Sequence, residues 1–366
     1  MNSQNENMAT IHKIPVQKIK ESRIAAIDFG KLEFGKYMSD HMLVAKYSNG
    51  QWSQGEIVPY GPLQLSPNML ALHYGQSVFE GMKAFRMKDG KISIFRIQKH
   101  FERLQRTLNR MCMPELPYSL FEEGLKQLIQ LDQQFVPDSE GSSLYIRPLL
   151  FATEERFGVK ISEEYLFVIM TGPVPPFYPK PIRVKIEDHY SRAGKGGTGT
   201  AKCAGNYGGS FYATKIAREQ GFDQVLWTDL SDELNIEESG TMNVFFLIND
   251  KLITPPLSET ILAGVTRDAI IALAKHEGVI VEERKIAAGE LLAAHQSGKL
   301  QEAFGAGTAA VTAAISTIGV KGKIIEIPVT DGNSLCVRLQ KKMTALRTGD
   351  TLDIFEWNTI IKGNND

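Results

Sequence analysis

Cysteine is scarce in this chain. Cys112, Cys203 and Cys336 are the only three in 366 residues, widely separated and odd in number. That pattern argues against a disulfide framework or a zinc ligand set and suits a reducing compartment. The seven histidines form no His-x-His or His-x-x-x-His pair. No apolar run approaches the roughly 18 residues of a membrane span. A net charge of −1 gives no reason to expect a nucleic-acid or membrane-surface partner. The polar start, MNSQNENMATIHKI, carries Glu6 and looks like neither a secretory signal nor an Arg-rich transit peptide, so a cytoplasmic protein is expected. A phosphate-binding G-x-x-x-x-G-K-[ST], a G-x-G-x-x-G between strand and helix, and an internal repeat are also missing.

What is present is the composition of an ordinary folded protein, 43% hydrophobic and 23% charged. The length exceeds what one core usually holds, so two domains are expected. Residues 1–22 read as a flexible leader, and 23–172 as a small α+β domain. Within it HMLVAKY, Asn49-Gly50 and QWSQGEIVP have hairpin chemistry. A second hairpin, FEGMKAFRM–KDG–KISIFRI, precedes the helical stretch QKHFERLQRTLNRM. Ser119 and Glu122 have the spacing of a capping box before another helix, and the strands SLYIRPLLFA and EEYLFVIMT follow. Five of the 16 prolines fall within 173–181. Lacking N–H groups, they predict an interdomain linker over 173–186 that joins no sheet interior. Residues 187–366 form the expected larger domain, with strands between a helix after Gly208 and helices near 266–277, 288–297 and 333–347.

The segment 189–218 contains no Asp or Glu, yet holds Arg192, Lys195, Lys202, Lys215 and Arg218. Small residues surround Lys202. A lysine desolvated near other cations tends to lose its proton and becomes nucleophilic enough for a Schiff base. A solvated glycine-rich loop is the competing reading. In Ile236-Glu237-Glu238, alternation puts Glu238 on the face of Ile236, so an inward carboxylate that needs a cationic partner is expected, against a solvated hairpin acid. Two turns could cradle an anion: Ala263-Gly264-Val265-Thr266-Arg267, with Thr266 as the expected N-cap of a helix, and Gly305-Ala306-Gly307-Thr308-Ala309.

The run Glu238, Asn243, Phe245, Leu252-x-Thr254, Leu262-x-Gly264-Val265-x-Arg267 resembles the pattern of class IV (fold type IV) aminotransferases. DHML, FEGMKAFR, SLYIRP, KCAGNYG and KLITPP look like the longer type of branched-chain amino acid aminotransferase, and the likeness runs from about Phe34 to Phe355. The resemblance implies a two-domain fold whose larger part is a barrel-like sheet with surrounding helices. It also implies pyridoxal 5'-phosphate, amino acids and 2-oxo acids as partners, and a homodimer.

By the same resemblance Lys202 would be the Schiff-base lysine and proton shuttle. Tyr207 would meet the ring oxygen and Glu238 the ring nitrogen. Arg96, Val265, Thr266 and Thr308 would hold the phosphate. Phe34, Phe79, Tyr145 and Thr241 would line the side-chain pocket, with Tyr74 from a second subunit, and Ala309 would offer an amide to the substrate carboxylate. Arg147 and Arg192 are weaker transfers, for which surface ion pairs read equally well. Some relatives carry Cys-x-x-Cys where this chain has Ala310-Val311-Thr312-Ala313, so thiol-based control there is expected to be missing. D-amino-acid aminotransferases and aminodeoxychorismate lyases look similar around the lysine and glutamate, and a non-catalytic cofactor carrier remains a further alternative.

Overall fold

The computed structural model describes residues 13–176 and 180–361, among which two sheets share the chain. The first is built from β1 (His41–Ser48), β2 (Gln51–Trp52), β3 (Glu56–Pro59), β4 (Ser77–Phe79), β5 (Met82–Arg86), β6 (Ile92–Phe95), β7 (Ser143–Ala152) and β8 (Tyr165–Val174). With them come the short helix α1 (Leu70–Tyr74) and two longer ones, α2 (Ile97–Arg110) and α3 (Tyr118–Leu131). The β1–β2 turn is the one the sequence predicts: Asn49 and Gly50 both take positive φ, 51° and 78°. Helix α2 buries Ile97, Phe101, Leu104 and Leu108 on one stripe against the sheet.

The second half adds α4 (Ala204–Gly208), α5 (Phe211–Glu219), α6 (Val265–His276), α7 (Ala288–Gln296) and α8 (Leu335–Thr348). Its strands are β9 (Ile182–Ile186), β10 (Gln224–Thr228), β11 (Ile236–Ser239), β12 (Met242–Ile248), β13 (Lys251–Thr254), β14 (Ile280–Glu283), β15 (Leu300–Gly307), β16 (Val311–Val320) and β17 (Lys323–Glu326). They run β11-β10-β9-β16-β15-β12, and β12 pairs back onto β11, so six strands close into a barrel. A closed barrel leaves no edge among those six. The barrel-like sheet expected for this half is therefore present. A third core joins the two sheets, with Phe85 and Phe95 from the first meeting Phe245, Phe304, α6 and α8 from the second.

Several expectations need correction. The described part of the leader is not loose: Ile14 is 6% exposed in the first core, and the Gln17 N–H donates to the Ile57 carbonyl at 2.8 Å. Residues 1–12 and 177–179 of the expected leader and linker lie outside the described residues, as do 362–366. The expected linker 173–186 enters both sheets: Pro173 lies opposite Leu144 in β8, and Ile182–Ile186, past the last proline of that stretch and with apolar residues alternating, form β9 inside the barrel between β10 and β16. Helix α3 starts after Pro117, so Ser119 lies inside its first turn and makes no cap. Strand β18 (Asn358–Ile361) returns to pair with β6 in the first sheet, so the chain's end does not stay with the barrel.

The segment before β1 crosses the first sheet tightly. Gly172 sits opposite Tyr145 in the β7–β8 ladder, and a Cβ there would overlap the Tyr37 carbonyl oxygen. Gly172→Ala is expected to cost about 1–3 kcal/mol through overpacking. A urea unfolding midpoint equal to that of the parent protein would show that the crossing has room to yield.

Candidate active site

A cleft of about 420 Å³ lies between the sheets, within the ~300–1,000 Å³ typical of small-molecule sites. Lys202 enters it from a backbone held by the other half of the molecule. Ala201 and Cys203 are buried in the first core, and Cys203 bridges to Val78. The Lys202 N–H donates to Thr107 Oγ1 at 3.1 Å, and its carbonyl accepts from the Phe79 N–H at 3.1 Å. So fixed, its amine lies 2.7 Å from the Tyr207 hydroxyl and over the rings of Phe79 and Tyr207. The sequence's acid-free stretch is thus a sharply placed amine, not a solvated loop.

Glu238 is 3% exposed, as its place on the face of Ile236 predicts. Its Oε1 accepts from the Leu262 N–H at 2.6 Å, and Oε2 faces Arg192 Nε at 3.4 Å. Burial raises its carboxyl above the ordinary range, and the Arg192 charge and the Leu262 N–H only partly oppose that. An acid so placed gains from a further cation. Glu237, on the other face of the strand, is buried as well, its carboxylate accepting from the Thr260 hydroxyl. Asn243 is the ladder partner of Glu238, and its Nδ2 donates to the Leu262 carbonyl at 3.0 Å. Acid and amide therefore grip one peptide unit each side of Leu262. Asn243 also packs so closely on Gly264 that a Cβ would overlap its Oδ1. The Glu-Asn-Gly spacing in the sequence describes one rigid loop.

That loop leads into α6. Gly264 is the N-cap, and Thr266 falls inside the first turn, where it makes no cap. Val265, Thr266, Thr308 and Ala309 all line the cleft, so the first turn of α6 and the turn after β15 both contribute to its wall. Phe34, Phe79, Tyr145, Arg147 and Thr241 line the rest. Arg147 Nη2 donates to the Tyr145 hydroxyl at 3.0 Å and its guanidinium stacks 4.6 Å from the Phe79 ring centroid. Arg192 donates to the carbonyls of Gly199 and Thr260. Neither arginine is a surface ion pair.

Three expected residues stand outside the wall. Glu238 lies behind it. Arg96, in the left-handed region at φ 55°, donates to the Val265 carbonyl at 3.0 Å and to the Asp268 carboxylate, so it holds the first turn of α6 from behind. Tyr74 is 41% exposed and accepts from the Gly158 N–H at 3.0 Å.

Arg103 is a wall residue that the sequence reading missed. Its Nε and Nη2 donate to the two carboxylate oxygens of Glu80 at 2.7 and 2.8 Å, and His100 Nδ1 lies 3.0 Å from the same group. Burial alone would raise Glu80, but Arg103 and His100 hold its carboxyl far below the usual range. A usable signal existed: His100, Arg103 and Thr107 share the apolar stripe of α2, where a polar residue needs a partner. Glu80 is free to turn inward because Pro148 offers no N–H and the ladder breaks there; the Glu80 N–H donates to the Pro148 carbonyl at 2.8 Å.

A ring aldehyde bearing a phosphate fits this donor set: an amine beside a phenol, a buried acid short of cations, and an amide-rich anion end. No cluster of His, Cys, Asp and Glu among the described residues could hold a metal. No described helix is long and apolar enough to cross a membrane.

Comparison with known proteins agrees. The model for the amino-transferase class IV family matches residues 77–318. Branched-chain-amino-acid aminotransferase 2 of Bacillus subtilis (strain 168) is 42% identical over 336 residues, 91% of this chain and 93% of that protein. Among solved structures, the Escherichia coli branched-chain amino acid aminotransferase superposes with a TM-score of 0.71 at 26% identity, covering 87% of this chain and 98% of that one. The Thermobaculum terrenum branched-chain amino acid aminotransferase, solved in its PLP-form, shares the fold with a TM-score of 0.71 at 22% identity over 89% of this chain and 100% of that one.

Removing Arg103 should strand the Glu80 carboxylate. Arg103→Met is expected to lose about 3–5 kcal/mol in urea unfolding, and adding Glu80→Gln should recover part of it. An Arg103→Met protein of parental stability would mean the pair contributes no net stabilisation.

Proposed function

We propose a reaction for a chain that belongs to the amino-transferase class IV family: reversible, ping-pong transfer of the amino group of L-leucine, L-isoleucine or L-valine to 2-oxoglutarate, giving the branched 2-oxo acid and L-glutamate. The observation that carries it is the Lys202 amine against the Tyr207 hydroxyl, in a cleft with an aromatic wall and an amide-lined anion end. Pyridoxal 5'-phosphate, when bound, supplies an aldehyde that links to amines and a ring that takes up the electron pair left when the substrate Cα–H bond breaks.

The chain's own residues do the rest. Lys202 Nζ would take the proton from the substrate Cα and deliver it to the former aldehyde carbon, a 1,3-shift in which the amine is base and then acid. Tyr207 holds that nitrogen in place, 2.7 Å away. Glu238 would oppose the ring nitrogen, and its buried carboxylate would favour a proton there. Val265, Thr266 and Thr308 would hold the phosphate, with Arg96 fixing the first turn of α6 from behind. The α-carboxylate would meet the Ala309 turn.

Phe34, Phe79, Tyr145 and Thr241 would receive the side chain. Each buried methylene contributes roughly 0.8 kcal/mol, so leucine should outcompete alanine by roughly 30-fold or more. A glutamate side chain in the same space needs a polar edge, and Arg147 beside the Tyr145 hydroxyl supports that role. A homodimer suits the exposed apolar face around Tyr74, where Leu72, Phe157 and Val159 are also exposed. A cytoplasmic setting suits the free cysteines. The first 22 residues would lead into two domains, 23–174 and 182–361, with the linker shortened to 175–181 by strands β8 and β9 and the final strand returning to the first domain.

Lys202→Ala should abolish L-leucine:2-oxoglutarate transfer and the change in visible spectrum on adding L-leucine, whereas D-alanine and aminodeoxychorismate should give no comparable response in the parent enzyme. Transfer that survives in Lys202→Ala would refute the assignment. Arg147→Ala should raise KM for glutamate about tenfold more than KM for leucine, the worth of one charged hydrogen bond. Equal losses would remove Arg147 from side-chain recognition.

A further inference from the structure

Lys83 is absent from every role above, yet its position is unusual. It lies on β5 in the first sheet, 5% exposed, and donates to the Ala309 carbonyl of the second half at 2.7 Å. No carboxylate pairs with it among the described residues. The charge that acts on it is another cation, Arg347, stacked on Phe95 and Phe85. Burial, and then Arg347, push the Lys83 ammonium down to about 7. A buried cation without an anion is costly unless an anion arrives from elsewhere.

The turn it grips is poised to receive one. The amides of Ala309 and Ala310 donate to no acceptor among the described residues. Directly after them Val311, a β-branched residue, sits in the left-handed region at φ 64°, a conformation that persists only when its surroundings hold it. Thr308 to Ala310 form part of the cleft wall, while Lys83 stands behind Ala309. A donor on the Ala309 carbonyl also polarises the peptide whose N–H belongs to Ala310, which makes that N–H a stronger donor.

We propose that Lys83 is a positioning residue for the substrate α-carboxylate, fixing the Thr308–Ala310 turn from the opposite sheet and supplying the positive charge that the turn's amides lack. The inference rests on the aminotransferase reading. Because donors and acceptors of both half-reactions carry this carboxylate, Lys83 acts on all of them alike and leaves the choice of side chain to Phe34, Phe79, Tyr145 and Arg147.

The test uses cofactor-saturated enzyme and two unreactive probes of one shape, 4-methylpentanoate and 4-methylpentanamide. In Lys83→Met the carboxylate should bind about tenfold more weakly and the amide within about twofold of the parent. KM for L-leucine and 2-oxoglutarate should rise together, with kcat falling far less. Lys83→Arg, which keeps the charge, should preserve most of the parent's preference for carboxylate over amide. If both probes weaken equally in Lys83→Met, or neither does, or if Lys83→Arg loses the preference as fully as Lys83→Met, the proposal is overturned. A parent enzyme whose spectrum ignores L-leucine would instead overturn the reaction itself, and this role with it.

Discussion

The stitch between Lys202 and the first sheet is the constraint on which the site depends. One backbone N–H held by Thr107, one carbonyl held by the Phe79 N–H and two buried neighbours fix the peptide while the amine faces the cleft. Lysine has the most mobile of side chains, so its placement to within hydrogen-bond reach of Tyr207 requires a rigid base. That base belongs to one half of the molecule and the cleft's anion end to the other. The site therefore exists only while the two sheets hold their mutual position, and the shared core of Phe85, Phe95, Phe245 and Phe304 secures it.

Charge is distributed to match. Acids that could neutralise the lysine are spent elsewhere: Glu80 on Arg103 and His100, Glu238 on Arg192 and the Leu262 N–H. Two further cations, Lys83 and Arg347, are buried without a carboxylate at ion-pair distance among the described residues, whereas Arg96 is paired with Asp268. Among the described residues no carboxylate comes within ion-pair distance of the Lys202 amine, although its charge still acts on Glu238.

Much of this was legible in the sequence because it is local. The Asn49-Gly50 turn, the apolar stripe of α2 and the inward Glu238 each follow from periodicity or turn chemistry within a few residues. The motif from Glu238 to Arg267 was legible too, and the geometry explains it: Asn243 and Glu238 are ladder partners that clamp Leu262, and Gly264 makes room for Asn243. What escaped was set by distant neighbours. Glu80 and Arg103 meet only after a strand and a helix fold together, Lys83 finds its carbonyl 226 positions away, and β18 returns to β6 across the whole barrel. Local cap signals also misled at Ser119 and Thr266, because Pro117 and Gly264 fix the helix starts earlier.

The most direct measurement is chemical. Protein saturated with pyridoxal 5'-phosphate, reduced with borohydride and mapped by peptide mass spectrometry, should carry one pyridoxyl adduct, on Lys202. An adduct confined to Lys195, Lys215 or any other lysine, or no adduct in saturated protein, would contradict the account at its foundation.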